Sequence, residues 1–136
     1  MDTKRFASKI EDLADMLLWL REKLIQRGEA PVKIRRLELV FEEALVNVIH
    51  YAYLDSLGEI EVTLTCTPLR LTLQIRDWGR PFNPLTEAPQ IDIEAPLEKR
   101  EIGGLGIHLI RNIMDEVSYT REGETNVLTM DSLRER

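Results

Sequence analysis

The apolar residues Ile10, Leu13, Ala14, Leu17, Leu20 and Leu24 recur three or four positions apart, the repeat of one helix face. Ser8 and Glu11 precede most of that run with the Ser-x-x-Glu spacing of a capping box, so a first helix is expected over residues 8–27. Gly28 supplies its stop, and Pro31 suits the first turn of a second helix reaching about residue 54. At Glu59 the period changes to two. Ile60, Val62 and Leu64 share one face, and Leu69, Leu71, Leu73 and Ile75 follow a turn at Thr67-Pro68, which predicts a β-hairpin. Residues 78–104 carry Pro81, Pro84, Pro89 and Pro96, several acids and no period. That is a connection longer than usual, of the kind that forms lids. A third helix over 105–114 and alternating stretches over 117–121 and 126–130 complete the pattern. Three helices with four or five strands, mostly joined as hairpins, predict an α+β fold, a two-layer α/β sandwich on a largely antiparallel sheet.

Composition narrows the setting. With 136 residues and 43% hydrophobic content the chain is expected to be one domain over 1–136. Its formal net charge of −6 disfavours a general nucleic-acid binder, which needs clustered cations. Cys66 is the sole cysteine, so no internal disulfide is possible and a reducing compartment is expected. No segment reads as a signal peptide and no apolar run approaches the ~20 residues of a membrane span, so a cytoplasmic protein is expected.

Chemistry could sit at three places. On the second helix, Glu43, Asn47 and His50 fall on one stripe, with Ile34, Leu37, Phe41, Leu45, Val48 and Ala52 nearly opposite. A carboxylate and an amide project together there, although a solvated helix face is the plainer reading. After the strand ending at Ile75, Asp77 is followed by Trp78, Gly79, Arg80 and Pro81. A carboxylate at a strand end can accept from an exocyclic amine and Gly79 permits close approach of a flat ring; an ordinary Asp-x-Gly turn is the alternative. Third, Gly103, Gly104 and Gly106 open directly into the third helix. Helix N–H groups and the helix dipole favour an anion there, so the segment is a candidate phosphate cradle, where the alternative is a plain loop.

In this order and spacing, Glu43-x-x-x-Asn47, Asp77-x-Gly79 and Gly103-Gly104-x-Gly106 resemble the N, G1 and G2 boxes of the GHKL superfamily, whose domain is the Bergerat ATP-binding fold. Glu-Ala-Leu-Val-Asn-Val-Ile-His-Tyr-Ala-Tyr, Asp-Trp-Gly-Arg-Pro-Phe-Asn-Pro and Gly-Gly-Leu-Gly-Ile-His-Leu-Ile-Arg resemble more closely its stand-alone branch of anti-sigma factors and serine-protein kinases. That resemblance implies a Mg-ATP-dependent kinase in which Glu43 is the general base and Asn47 holds Mg²⁺ against the phosphates. It further implies that Asp77 recognises the adenine amine, that Gly79 lies beside the ring, and that Gly103, Gly104 and Gly106 contact the phosphates. The lid would cover about 84–102. Glu42 is rotated roughly 100° off the Asn47 stripe, which favours Glu43 as the base. Pro81 stands where many superfamily members have a glycine, a departure associated with the stand-alone branch.

The partners implied are a STAS-domain anti-anti-sigma protein as phosphoacceptor, a sigma factor to sequester, and a second copy of the chain, with Leu18 and Trp19 as exposed apolar candidates for that contact. His50 and His108 are expected to be helix residues rather than phosphorylated groups, and Arg111 is a cation near the phosphates without an assigned role. The competing function is a nucleotide-gated binding module that transfers little or no phosphate.

Overall fold

The computed structural model describes residues 1–53, 58–87 and 104–134. Five strands, β1 (Asp2–Ala7), β2 (Glu59–Cys66), β3 (Arg70–Asp77), β4 (Glu116–Glu122) and β5 (Thr125–Leu133), form one sheet in the order β1-β2-β3-β5-β4, every pairing antiparallel. Helices α1 (Leu13–Gln26), α2 (Pro31–Asn47) and α4 (Gly104–Ile113) pack over one face, with α2 between and touching the other two. A short helix, α3 (Pro84–Glu87), follows β3. The fold is the expected two-layer α+β sandwich. No helix among the described residues is long and apolar enough to cross a membrane.

Alternation in β2 and β3 makes the sheet two-faced, and β5 follows it less strictly, since Val127 is buried beside Leu128. Ile60, Val62 and Leu64 of β2, Leu71, Leu73 and Ile75 of β3, and Leu128 and Met130 of β5 are buried against Met16, Leu20 and Leu24 of α1, Leu37, Phe41 and Leu45 of α2 and Ile107 and Ile110 of α4. The opposite face carries polar pairs such as Thr63 with Gln74 and Gln74 with Thr129. This is the inside/outside pattern of an antiparallel sheet covered on one side.

Two expectations at the N-terminus fail. Residues 2–7 form an edge strand whose charged Lys4 and Arg5 face solvent and whose Phe6 meets Trp19 edge-on at 6.3 Å. The capping box does not form. α1 begins at Leu13 after a 3₁₀ turn (Ile10–Asp12), no side chain caps either element, and the Ser8 hydroxyl is buried without a partner. Pairing with β2 wins over an early helix start because it buries Phe6 and satisfies the strand backbone, with Ser8 N donating to Gly58 O at 2.8 Å. Trp19, expected exposed, is consequently a core residue at 9% exposure, whereas Leu18 is 52% exposed. Gly28 ends α1 at φ 76°, a left-handed turn that glycine adopts without steric cost. Pro31 opens α2 as expected.

Candidate nucleotide site

The α-helical ladder of α2 stops at Asn47 and continues as a π-helical turn, Val48–Ala52. Such wide turns recur at functional sites. Glu43 and Asn47 lie one turn apart at this end. Asn47 is no solvated helix residue: it is 0% exposed. Its Nδ2 donates to Glu43 O at 2.9 Å, whereas its Oδ1 is buried with no partner. An orphaned buried acceptor costs about 1–3 kcal/mol unless something binds it, and a carbonyl oxygen is the donor type that Mg²⁺ takes.

Glu43 is half-buried and faces the first turn of α4. A Cβ on Gly106 would stand 2.2 Å from Glu43 Oε2 and 3.0 Å from Glu43 Cβ, so any side chain there would push the Glu43 carboxylate aside. Burial, then the neighbouring charge of Glu42, raises the Glu43 pKa above the usual glutamate range. Gly104 opens α4. Gly103 and residues 88–102, most of the expected lid, lie outside the described residues; before them, at the start of the expected lid, α3 (Pro84–Glu87) is a helix started by Asn83, whose Oδ1 accepts from Leu85 N at 2.9 Å.

Asp77 continues the inward parity of Leu71, Leu73 and Ile75 to the end of β3, which drives its carboxylate into the interior at 3% exposure. Burial raises its pKa, and hydrogen bonds from Asn126 and Gly79 with the nearby Arg121 charge oppose the rise. Both hydrogen bonds, Asn126 Nδ2 at 2.8 Å and Gly79 N at 2.9 Å, go to Oδ1. Oδ2 takes none among the described residues. Gly79 also lies against the π turn: a Cβ there would meet Ala52 O at 2.3 Å. The glycine is thus required by the π turn itself, as well as by any flat ligand.

Asn126 is a site residue that reading the motifs missed. It pairs with Asp77 across β3 and β5, and its Nδ2 also donates to Arg80 O at 2.7 Å. Its Oδ1 accepts from Phe82 N at 3.1 Å, Tyr119 Oη at 2.5 Å and Arg121 Nη1 at 3.2 Å. The signal available was parity: Asn126 precedes Leu128 and Met130 on the inward face, where a polar residue needs partners. His50 and His108 are both exposed, and His108 lies on α4 as expected. Arg111 donates to Leu85 O at 3.2 Å and so ties α4 to α3.

A model of the family described as "Histidine kinase-like ATPase domain" matches residues 6–132. Serine-protein kinase RsbW of Bacillus mycoides (strain KBAB4) is 28% identical over 136 residues, covering 97% of this chain and 85% of that one, and serine-protein kinase RsbW of Bacillus cereus (strain AH820) matches to the same extent. The histidine kinase domain from the Erythrobacter litoralis EL346 blue-light activated histidine kinase superposes with a TM-score of 0.53 at 19% identity, over 74% of this chain and 44% of that one. The chain therefore spans less than half of that structure, and the likeness is one of fold.

Proposed function

Because the chain belongs to the histidine kinase-like ATPase domain family, we propose that it binds Mg-ATP and transfers the γ-phosphoryl group to a serine or threonine of a partner protein. The observation that carries this reading is the buried, unpartnered Oδ1 of Asn47 one helical turn from the half-buried carboxylate of Glu43. A metal-binding oxygen and a base on one helix can serve one reaction centre.

The roles divide by position. Asp77 receives the adenine amine at Oδ2, while its Oδ1 is fixed by Asn126 and Gly79. Gly103, Gly104 and Gly106 are assigned to the phosphates, because the backbone N–H groups of a helix N-terminus suit an anion. Asn47 would hold Mg²⁺, which when bound neutralises charge on the phosphates. Glu43 accepts the proton of the acceptor hydroxyl as its oxygen bonds to the γ-phosphorus and the bond from phosphorus to the ADP oxygen breaks. Such transfer is mainly positioning and electrostatics. Burial that raises the Glu43 pKa makes it a stronger proton acceptor than an exposed carboxylate.

Resemblance to proteins named serine-protein kinase RsbW extends the proposal to its partners: a STAS-domain anti-anti-sigma protein as phosphoacceptor, a sigma factor held when that protein is phosphorylated, a homodimer, and a cytoplasmic setting. The test is transfer of labelled γ-phosphate from Mg-ATP to STAS-domain proteins of the same genome, with Glu43→Gln as control. Label on a serine or threonine that disappears with Glu43→Gln supports the kinase. ATP binding with no labelled partner favours a nucleotide-gated binding module instead.

A further inference from the structure

Between Asp77 and Phe82 the backbone offers N–H groups at Trp78, Gly79, Arg80 and Phe82, Pro81 having none, and each has an acceptor. Trp78 N donates to Tyr53 Oη at 2.7 Å, Gly79 N to Asp77 Oδ1, Arg80 N to Ala52 O at 3.1 Å and Phe82 N to Asn126 Oδ1. Two of these acceptors come from the end of the π turn and the residue after it. Arg80 Nε adds a third tie to the same segment, donating to Tyr51 O at 2.8 Å. The base-recognition corner is therefore bolted to the chain that follows Asn47.

Tyr53 is the side chain in that attachment. While accepting from Trp78 N, its hydroxyl donates to Glu59 O at 2.7 Å, linking the chain after α2 to the start of β2 and the residue after β3. Its ring fills the space beside Gly58, where a Cβ would stand 2.1 Å from Tyr53 Cε1 and Cζ. Burial raises the phenol pKa, which keeps the donor proton in place across the neutral range.

We propose that Tyr53 is a positioning residue for base recognition: its hydroxyl fixes the Trp78 amide next to Asp77 and so sets the angle at which Asp77 Oδ2 meets an exocyclic amine. This rests on the nucleotide reading above. The hydroxyl acts through Asp77 and does not itself touch the base.

The experiment measures, by calorimetry on the full chain, the binding of ADP and of IDP, whose base carries a carbonyl where adenine has the amine. Tyr53→Phe keeps the ring against Gly58 and removes the hydroxyl. The expected result is an ADP Kd raised about tenfold, the equivalent of one lost hydrogen bond, with IDP binding little changed, so that the ADP-over-IDP preference collapses. Gly58→Ala, which pushes the ring away, reproduces that collapse and serves if Tyr53→Phe does not fold. A folded variant with the wild-type ADP-to-IDP ratio overturns the proposal and leaves Tyr53 as a brace of the fold. Failure of the unmodified protein to bind ADP or ATP is a separate result, and it overturns the nucleotide reading together with this inference.

Discussion

The side chain that Gly106 lacks is the space in which the Glu43 carboxylate sits, since a Cβ there would be 2.2 Å from Oε2. α4 therefore sets where the proposed base points, and Gly106 is a spacer as well as a proposed phosphate contact. Gly106→Ala is expected to swing the carboxylate aside and lower the phosphotransfer rate about 100-fold, the cost of a misplacement near 1 Å. ADP affinity should change less than about threefold, because alanine keeps the backbone N–H assigned to the phosphates and the base makes no contact in the binary complex. Calorimetry beside single-turnover transfer separates the two. A loss of affinity as large as the loss of rate would assign Gly106 to the phosphates alone.

The raised Glu43 pKa gives two opposite pH effects. The base acts when ionised, so at saturating ATP the transfer rate should fall on acidification at a pH above the usual glutamate range. Glu42→Gln should move that limb to lower pH by removing the neighbouring negative charge. Stability runs the other way. A carboxylate whose folded pKa exceeds its unfolded one favours the fold below the unfolded value and loses that contribution as pH rises through the folded value. Glu43→Gln is accordingly expected to unfold at the same or a higher temperature than wild type at neutral pH, while losing transfer. A clear drop in its melting temperature would show the carboxylate to be structurally paired.

Asn47 carries a similar exchange of stability for function. Its Oδ1 is buried without a partner, so Asn47→Leu, close in shape, should leave the unfolding free energy within about 1 kcal/mol of wild type or raise it. The same variant should abolish the strengthening of ATP binding by Mg²⁺. Urea unfolding and binding titrations with and without Mg²⁺ check both halves, and an undiminished Mg²⁺ effect would remove Asn47 from the metal's shell.

Ser8 separates what its sequence setting implies from what the fold does with it. A capping serine costs about 1 kcal/mol when replaced by alanine. Here the hydroxyl caps nothing and is buried unpaired, so Ser8→Ala should be neutral or stabilising in the same urea titration. A loss near the capping value would restore the hydroxyl to a helix start.

The contrast between Ser8 and Asn47 shows which parts of the molecule were legible in its residues. Helical and strand periods locate α2, β2, β3 and β5 because burial on one face enforces them. They also put Glu43 with Asn47 and place Asp77 at an inward strand end. β1 was not legible because an edge strand needs only one partly buried side chain, Phe6, and its charged neighbours read as loop. Asn126 and Tyr53 were not legible as site residues because their roles depend on register between distant strands. Asn126 meets Asp77 only through the β3–β5 pairing, and Tyr53 meets Trp78 only because α2 ends in a π turn.

The sheet order has a consequence for the newly made chain. β5 inserts between β3 and β4, so the partner that fixes Asp77 is 49 positions further along. As the polypeptide leaves the ribosome, α2 with Glu43 and Asn47 emerges long before the proposed pocket for the base can close. Until Asn126 emerges, β3 has an unpaired edge and Asp77 lacks its amide donor. Nucleotide at the proposed site can then stabilise the protein by mass action only once β5 has paired with the free edge of β3. That makes late pairing of β5 with β3, rather than assembly of the helices, the step that ligand in the cell can reward.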